Sequence, residues 1–164
     1  MNLEEVSLRR NKMKPAGKLR IILLDDNEAV RIVLSEILVD RGYEVFTFSN
    51  PAICPLMMMP ECGCGPNQTC TDIIVSDLAM PNMTGLGFIE NQKKKNCKCQ
   101  NVVLMSGSWT DQDLLRAHEL GCKTFAKPFP FEEFYEWLNE VERSIESKRE
   151  LCSWFQDPSS LSEK

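Results

Sequence analysis

Five short apolar runs, LRIILL, EVFTF, DIIVS, NVVLMS and TFAKP, recur along this chain, separated by longer segments such as the amphipathic EAVRIVLSEILVDRG. Strands that are apolar at consecutive positions are buried on both faces, and alternation with helices requires right-handed crossovers between parallel strands. The pattern predicts an α/β fold with helices on both sides of one parallel sheet. The 164 residues suffice for one domain with additions at its ends, and 43% hydrophobic with 26% charged residues is a globular balance. No internal repeat is visible.

Local signals set the element boundaries. Asn27 is placed to cap a first helix whose apolar positions are Val30, Val33, Leu34 and Ile37, with Gly42 as its terminator. Gly121 ends a later helix after DQDLLRAHEL. A last helix begins near Pro130 and carries the stripe Phe134, Trp137, Leu138, Val141 and Ile145. Residues 1–17 read as a flexible basic arm, with six Lys and Arg against two Glu up to Arg20; residues 148–164 read as a helical extension or a loose tail. A net charge of -5 and a pI near 5.0 argue against a nucleic-acid surface. Neither a membrane span nor a signal peptide is apparent, so a cytoplasmic location without membrane insertion is expected.

Ligands of open α/β sheets bind beyond the carboxyl ends of the strands. The residues there are Asp25 and Asp26 after the first run, Asp77 after IIVS, Ser106 after VVLM, and Lys127 followed by Pro128 after TFA. Clustered carboxylates resist joint ionisation unless a cation balances them, and hard oxygen ligands suit Mg²⁺. One carboxylate then serves as a nucleophile toward a phosphoryl group, with Lys127 and Ser106 contacting its oxygens.

LLDDNEAVR, VSDLAMPNMTG, VLMSGS and FAKPF, in this order and spacing, resemble the receiver domain of bacterial response regulators over residues 18–147. The resemblance implies a CheY-like, doubly wound five-stranded parallel sheet of order 2-1-3-4-5. It implies that Asp77 accepts phosphate from a sensor histidine kinase or phosphotransfer protein. Mg²⁺ would be held by Asp26, Asp77 and the carbonyl of Ala79, with Asp25 assisting. Ser106 would be the switch hydroxyl and Lys127 the partner of the phosphoryl group, while Pro81 and Gly85 would shape the loop after Asp77.

Departures from the family are also visible. Its switch aromatic stands three positions before the pocket lysine, where this chain has Thr124; Phe125 is one position closer. Either a register shift lets Phe125 serve, or Phe125 is a core residue and the aromatic switch is absent. Ala79 cannot position an attacking water through its side chain, which predicts slow hydrolysis of the acyl phosphate unless Ser108 compensates. Trp109 either flanks the pocket, docks a partner or packs against the next helix. His118 reads as a surface or core histidine and not as a ligand.

The eight cysteines are numerous for a cytoplasmic chain. In NPAICPLMMMPECGCGPNQTC, residues 50–70, Pro51, Pro55 and Pro60 limit any helix to about two turns. Cys62, Cys64 and Cys70 then lie in the connection entering the third strand, and Cys97 and Cys99 in the one entering the fourth, both at the amino end of the sheet. Four thiolates around one structural Zn²⁺ would replace the packing of the shortened helix, with Cys54 as a substitute ligand; disulfide or redox chemistry and unliganded thiols remain open. Cys122 and Cys152 read as lying outside this group.

The expected function is that of a stand-alone receiver, a phosphoacceptor and not an enzyme beyond self-catalysed phosphorylation and dephosphorylation. Its signal would leave by the face of the fourth helix, fifth strand and last helix, through an unknown downstream protein and without direct DNA binding. A metal- or thiol-redox-sensing module on the same scaffold is the alternative, and a homodimer through the last helix is compatible with either.

Overall fold

The computed structural model describes residues 18–145 and 148–152; the arm at 1–17 and the tail from 153 onward lie outside them. Five parallel strands form the main sheet: β1 (Arg20–Leu24), β2 (Glu44–Phe48), β4 (Ile73–Asp77), β5 (Asn101–Ser106) and β6 (Lys123–Ala126). Their order is β2-β1-β4-β5-β6, which is 2-1-3-4-5 when the main strands are counted alone. Two further strands, β3 (Gln68–Thr69) and β7 (Glu150–Leu151), pair in parallel with each other.

Five α-helices connect these strands: α1 (Glu28–Asp40), α2 (Pro55–Met58), α3 (Gly85–Lys94), α4 (Asp111–Glu119) and α5 (Phe131–Ser144). The Asn27 side chain accepts the amide of Val30 at the start of α1. Gly42 and Gly121 take positive φ values of 100° and 75°, a conformation that costs a side-chain-bearing residue more. Helical turns are scarce between β2 and β4, where a 3-10 turn at Pro51–Ile53 leads into the single turn of α2.

Strand pleating divides the core into two halves. Ile22, Leu24, Ile74, Val102 and Leu104 face one side with Phe88 and Ile89 of α3 and Ala117 of α4. Ile21, Leu23, Val75, Val103 and Met105 face the other with Leu34 and Leu38 of α1 and Phe134, Leu138 and Val141 of α5. The stripe on α1 differs from the sequence reading: Leu34 and Leu38 are buried, while Val33 is 48% exposed. A helix lying along an edge of the sheet touches it by a narrow line of residues, which leaves Ile32, Val33 and Val39 in solvent.

The chain after α5 also differs from both sequence readings. A helical extension or loose tail was the expectation, yet Glu150–Leu151 pairs with Gln68–Thr69, with Glu150 N–H donating to Asn67 (2.8 Å) and Cys152 N–H to Thr69 (3.0 Å). Arg149 holds both carboxylate oxygens of buried Asp72, at 2.7 and 2.8 Å. A bidentate pair of this kind fixes orientation as well as charge, and it returns the chain to the amino end of the sheet.

Phe134 is fully buried and packs edge-on against Phe125 and Phe129, at centroid separations of 6.0 and 4.7 Å. Phe134→Ala should cost about 3–5 kcal/mol in urea unfolding, whereas Leu115→Ala, at a position 60% exposed, should change stability by less than about 0.5 kcal/mol.

Candidate functional site

The strand register brings the polar residues together. Leu24 pairs with Ser76 and Asp77 with Met105, while Ser106 pairs with Ala126. The carboxyl ends of β1, β4, β5 and β6 are therefore flush, and Asp25, Asp77, Ser106 and Lys127 emerge at one edge.

At that edge, Lys127 Nζ lies 2.9 Å from Asp25 Oδ2 and 3.4 Å from Asp77 Oδ1. Carboxylate oxygens of Asp25, Asp26 and Asp77 lie within 4.8 Å of one another, with Asp25 and Asp77 buried and Asp26 exposed. The second oxygen of Asp25 accepts the Asn27 amide (2.9 Å), which fixes its orientation. Burial, and then the Asp25 charge, push the Asp77 carboxyl above its ordinary range; Lys127 opposes this, and Asp26 adds to it. Burial disfavours the Lys127 ammonium, but Asp25 and Asp77 outweigh that effect and raise its pKa. Three carboxylates facing one ammonium leave negative charge unbalanced, which suits a hard divalent cation such as Mg²⁺.

The loop after Asp77 is held close to it. Leu78 N–H donates to Met105 (2.7 Å), and Gly85 N–H donates to Leu78 (2.9 Å). A Cβ on Gly85 would stand 2.4 Å from the Asp77 carbonyl oxygen, so this approach requires glycine. Pro81 accepts the Met83 amide, and Asn82 between them has a φ of 70°. Ser106 is buried, and its Oγ accepts the Ser108 amide at 3.0 Å. Ala79 and Ser108 are exposed at the rim.

Residues 21–139 match the profile of the response regulator receiver domain. The chain belongs to that family. It is 27% identical over 122 residues to the probable chemotaxis protein CheY of Rhizobium etli, an alignment covering 73% of this chain and 89% of that one. Against sporulation initiation phosphotransferase F of Bacillus subtilis it is 26% identical over 117 residues, covering 70% and 86%. The non-phosphorylated HemR receiver domain of Leptospira biflexa superposes with a TM-score of 0.64 at 28% identity, over 79% of this chain and 97% of that one. The protein is thus a receiver of the two-component type, homologous to CheY.

Register also decides between the readings of the aromatic residue. Phe125 pairs with Met105, and Thr124 with Leu104, so their side chains take opposite faces of the sheet. Phe125 is 3% exposed and belongs to the core half under α1 and α5, while Thr124, three positions before Lys127, is half-buried. Trp109 packs against the opposite core half and donates its indole N–H to the Phe125 carbonyl at 2.9 Å. It therefore ties the loop before α4 to β6. His118 is exposed on α4.

At the other end of the sheet, Sγ atoms of Cys62, Cys64 and Cys70 lie within 4.8 Å of one another. Cys152, which the sequence reading left out, lies 2.9 Å from Cys64, and Cys70 lies 3.2 Å from Cys64. Cys97 and Cys99, expected in this group, are not among those three sulfurs, although Cys97 lines one small pocket with Cys62 and Cys70. Cys99 is buried, with its sulfur toward the carbonyls of Asp72 (3.6 Å) and Asn101 (3.7 Å). Cys97 closes the turn after α3 and packs against the core. Burial pushes the Cys54 thiol up to about 12 and that of Cys122 up to about 11.

The raised Asp77 pKa has a measurable consequence. A carboxyl whose folded pKa exceeds its unfolded value opposes folding once pH rises above both. At neutral pH without metal, Asp77→Asn should therefore raise the urea midpoint, and this gain should fade as pH falls toward the ordinary carboxylate value of 3.8. Mg²⁺ should stabilise the wild type and leave the variant nearly unchanged in paired urea titrations.

Proposed function

We propose that this receiver accepts a phosphoryl group on Asp77 from the phosphohistidine of a sensor kinase or phosphotransfer protein, and passes the signal on by protein contact. The observation that carries this reading is the placement of Asp77 between a neighbouring carboxylate and Lys127 Nζ, 3.4 Å away. An Asp77 oxygen attacks phosphorus as the P–N bond to the imidazole breaks. The bonding pair returns to that nitrogen, which takes up a proton, and Asp77 becomes an acyl phosphate. Lys127 balances the charge of the new group, and the Ser106 hydroxyl donates to one of its oxygens.

Asp25, Asp26, Asp77 and the Ala79 carbonyl would hold Mg²⁺, which when bound offsets the carboxylate charge and polarises the phosphoryl oxygens. The Ala79 methyl offers no hydrogen bond to an attacking water, so the acyl phosphate should be long-lived. A kinase partner of this kind places the reaction in the cytoplasm; no helix among the described residues is long and apolar enough to cross a membrane.

Ser106 and Lys127 flank the face of α4, β6 and α5, and movement of both toward the new phosphoryl group favours one arrangement of that face. With Phe125 in the core, the contact between Trp109 and β6 joins the direct pairing of Ser106 with Ala126 as a connection through which Ser106 can act on α4 and β6. The charge of -5 favours a protein partner over nucleic acid.

Incubation of purified protein with Mg²⁺ and a small acyl phosphate donor, followed by intact mass measurement, tests the reading. One added phosphoryl group is expected in the wild type and none in Asp77→Asn. No addition to a folded wild type, or equal addition to the variant, would refute it.

A further inference from the structure

The thiols at the amino end of the sheet come from three stretches of chain that sequence separation alone would not join. Cys62 and Cys64 lie on the loop after α2, Cys70 follows β3, and Cys152 follows β7. The pairing of Thr69 with Leu151 sets the register. One residue further on, Cys70 and Cys152 stand abreast, and Cys64 lies against both, at 3.2 and 2.9 Å between sulfurs. Cys62 completes the group within 4.8 Å of Cys64 and Cys70. None of the four is in a disulfide.

We propose that Cys62, Cys64, Cys70 and Cys152 bind one Zn²⁺ as four thiolates, in a site that clasps the C-terminal segment onto the receiver. Zinc–sulfur bonds of about 2.3 Å in a tetrahedron require sulfurs about 3.8 Å apart; Cys64 lies 3.2 and 2.9 Å from Cys70 and Cys152, so metal binding would open these two close pairs to that spacing. Four thiols pointing into one small volume have little hydrogen-bonding capacity for one another, and as thiolates they would repel. A soft divalent cation resolves both conditions, because each sulfur gives up its proton and gains a bond to the metal.

The surroundings hold the ligands in place. Arg20 is fully buried, and its Nη1 donates to the carbonyls of Cys70 (3.0 Å) and Cys152 (2.9 Å). One guanidinium thus holds the backbone of two ligands, while its Nε pairs with Glu44 at 2.8 Å. Outer contacts of this kind orient metal ligands. Arg149, three residues before Cys152, is anchored on Asp72, so the last ligand is delivered by an ion pair and a strand pairing.

The remaining thiols are placed differently. Cys99 points at two carbonyl oxygens, where a protonated thiol is favoured over a thiolate. Cys54 is fully buried in the apolar core.

The site also accounts for the short α2. Receivers usually pack a full helix between their second and third main strands, whereas here three prolines leave one helical turn and the metal holds the loop instead. Removal of zinc should release residues 148–152 while the phosphorylation pocket, at the opposite end of the sheet, keeps its fold.

The test uses the full chain, purified without chelator, with metal content read by native mass spectrometry and elemental analysis. One zinc per chain is expected, and replacement by Co²⁺ should give the visible and near-ultraviolet bands of a tetrahedral tetrathiolate. Cys152→Ser should weaken zinc binding by more than about tenfold in competition with a chromophoric chelator, since even outer contacts contribute about 10–100-fold. The double variant Cys97→Ser with Cys99→Ser should keep one zinc and the cobalt spectrum. Phosphoryl uptake at Asp77 serves as the check that each variant is folded, and the wild-type cobalt spectrum needs no variant. A metal-free wild type, a Cys64–Cys152 disulfide, an iron–sulfur chromophore, or loss of zinc on changing Cys97 and Cys99 but not Cys152 would each overturn the assignment.

Discussion

The parallel register of the central strands is the constraint on which the rest of this molecule depends. With Leu24 beside Ser76 and Ser106 beside Ala126, the strands end in line, and the residue that follows each one enters the same small volume. A slip of one residue would turn every core side chain to the opposite face. The register that packs the two core halves therefore also fixes the pocket. Lys127 Nζ is brought within 3.4 Å of carboxylate oxygens of both Asp25 and Asp77 by strands whose cores are apolar.

That arrangement opposes local stability. Two buried carboxylates and one ammonium do not balance, and burial, with the Asp25 charge beside it, raises the Asp77 pKa although Lys127 opposes this. Function turns on that imbalance, because a site with surplus negative charge attracts a divalent cation, and a cation-loaded site accepts the further negative charge of a phosphoryl group. The opposite end of the sheet carries a different cluster. There, four sulfurs and the buried Arg20 gather where an α/β fold would ordinarily place a helix.

Much of this was legible in the sequence. Consecutive apolar residues gave the buried parallel strands, and one polar residue after each run gave the pocket, because strand ends are fixed by short-range pattern. Glycine at positions 42 and 121 marked helix ends for the same reason. The misreadings share a different cause. Cys152 lies 88 residues from Cys64, and the pairing of β3 with β7, two residues each, brings them together. Strands that short carry no periodicity. In the CKC of Cys97 and Cys99, the carbonyls of Asp72 and Asn101 determine where the Cys99 sulfur points, which spacing alone does not show. The role of Phe125 could be settled only by register, since adjacent strand residues face opposite sides.

The central claim is that the flush carboxyl edge forms one cation-dependent phosphoryl site, separate from the thiol end of the sheet. Amide chemical shifts recorded during titration with Mg²⁺ and then beryllofluoride, a phosphoryl mimic, test it most directly. The account predicts changes at Asp25, Asp77, Ser106 and Lys127 that spread over α4, β6 and Trp109, with residues 62–70 little affected. Changes centred on residues 62–70, or none around Asp77 when both ligands are present, would contradict it.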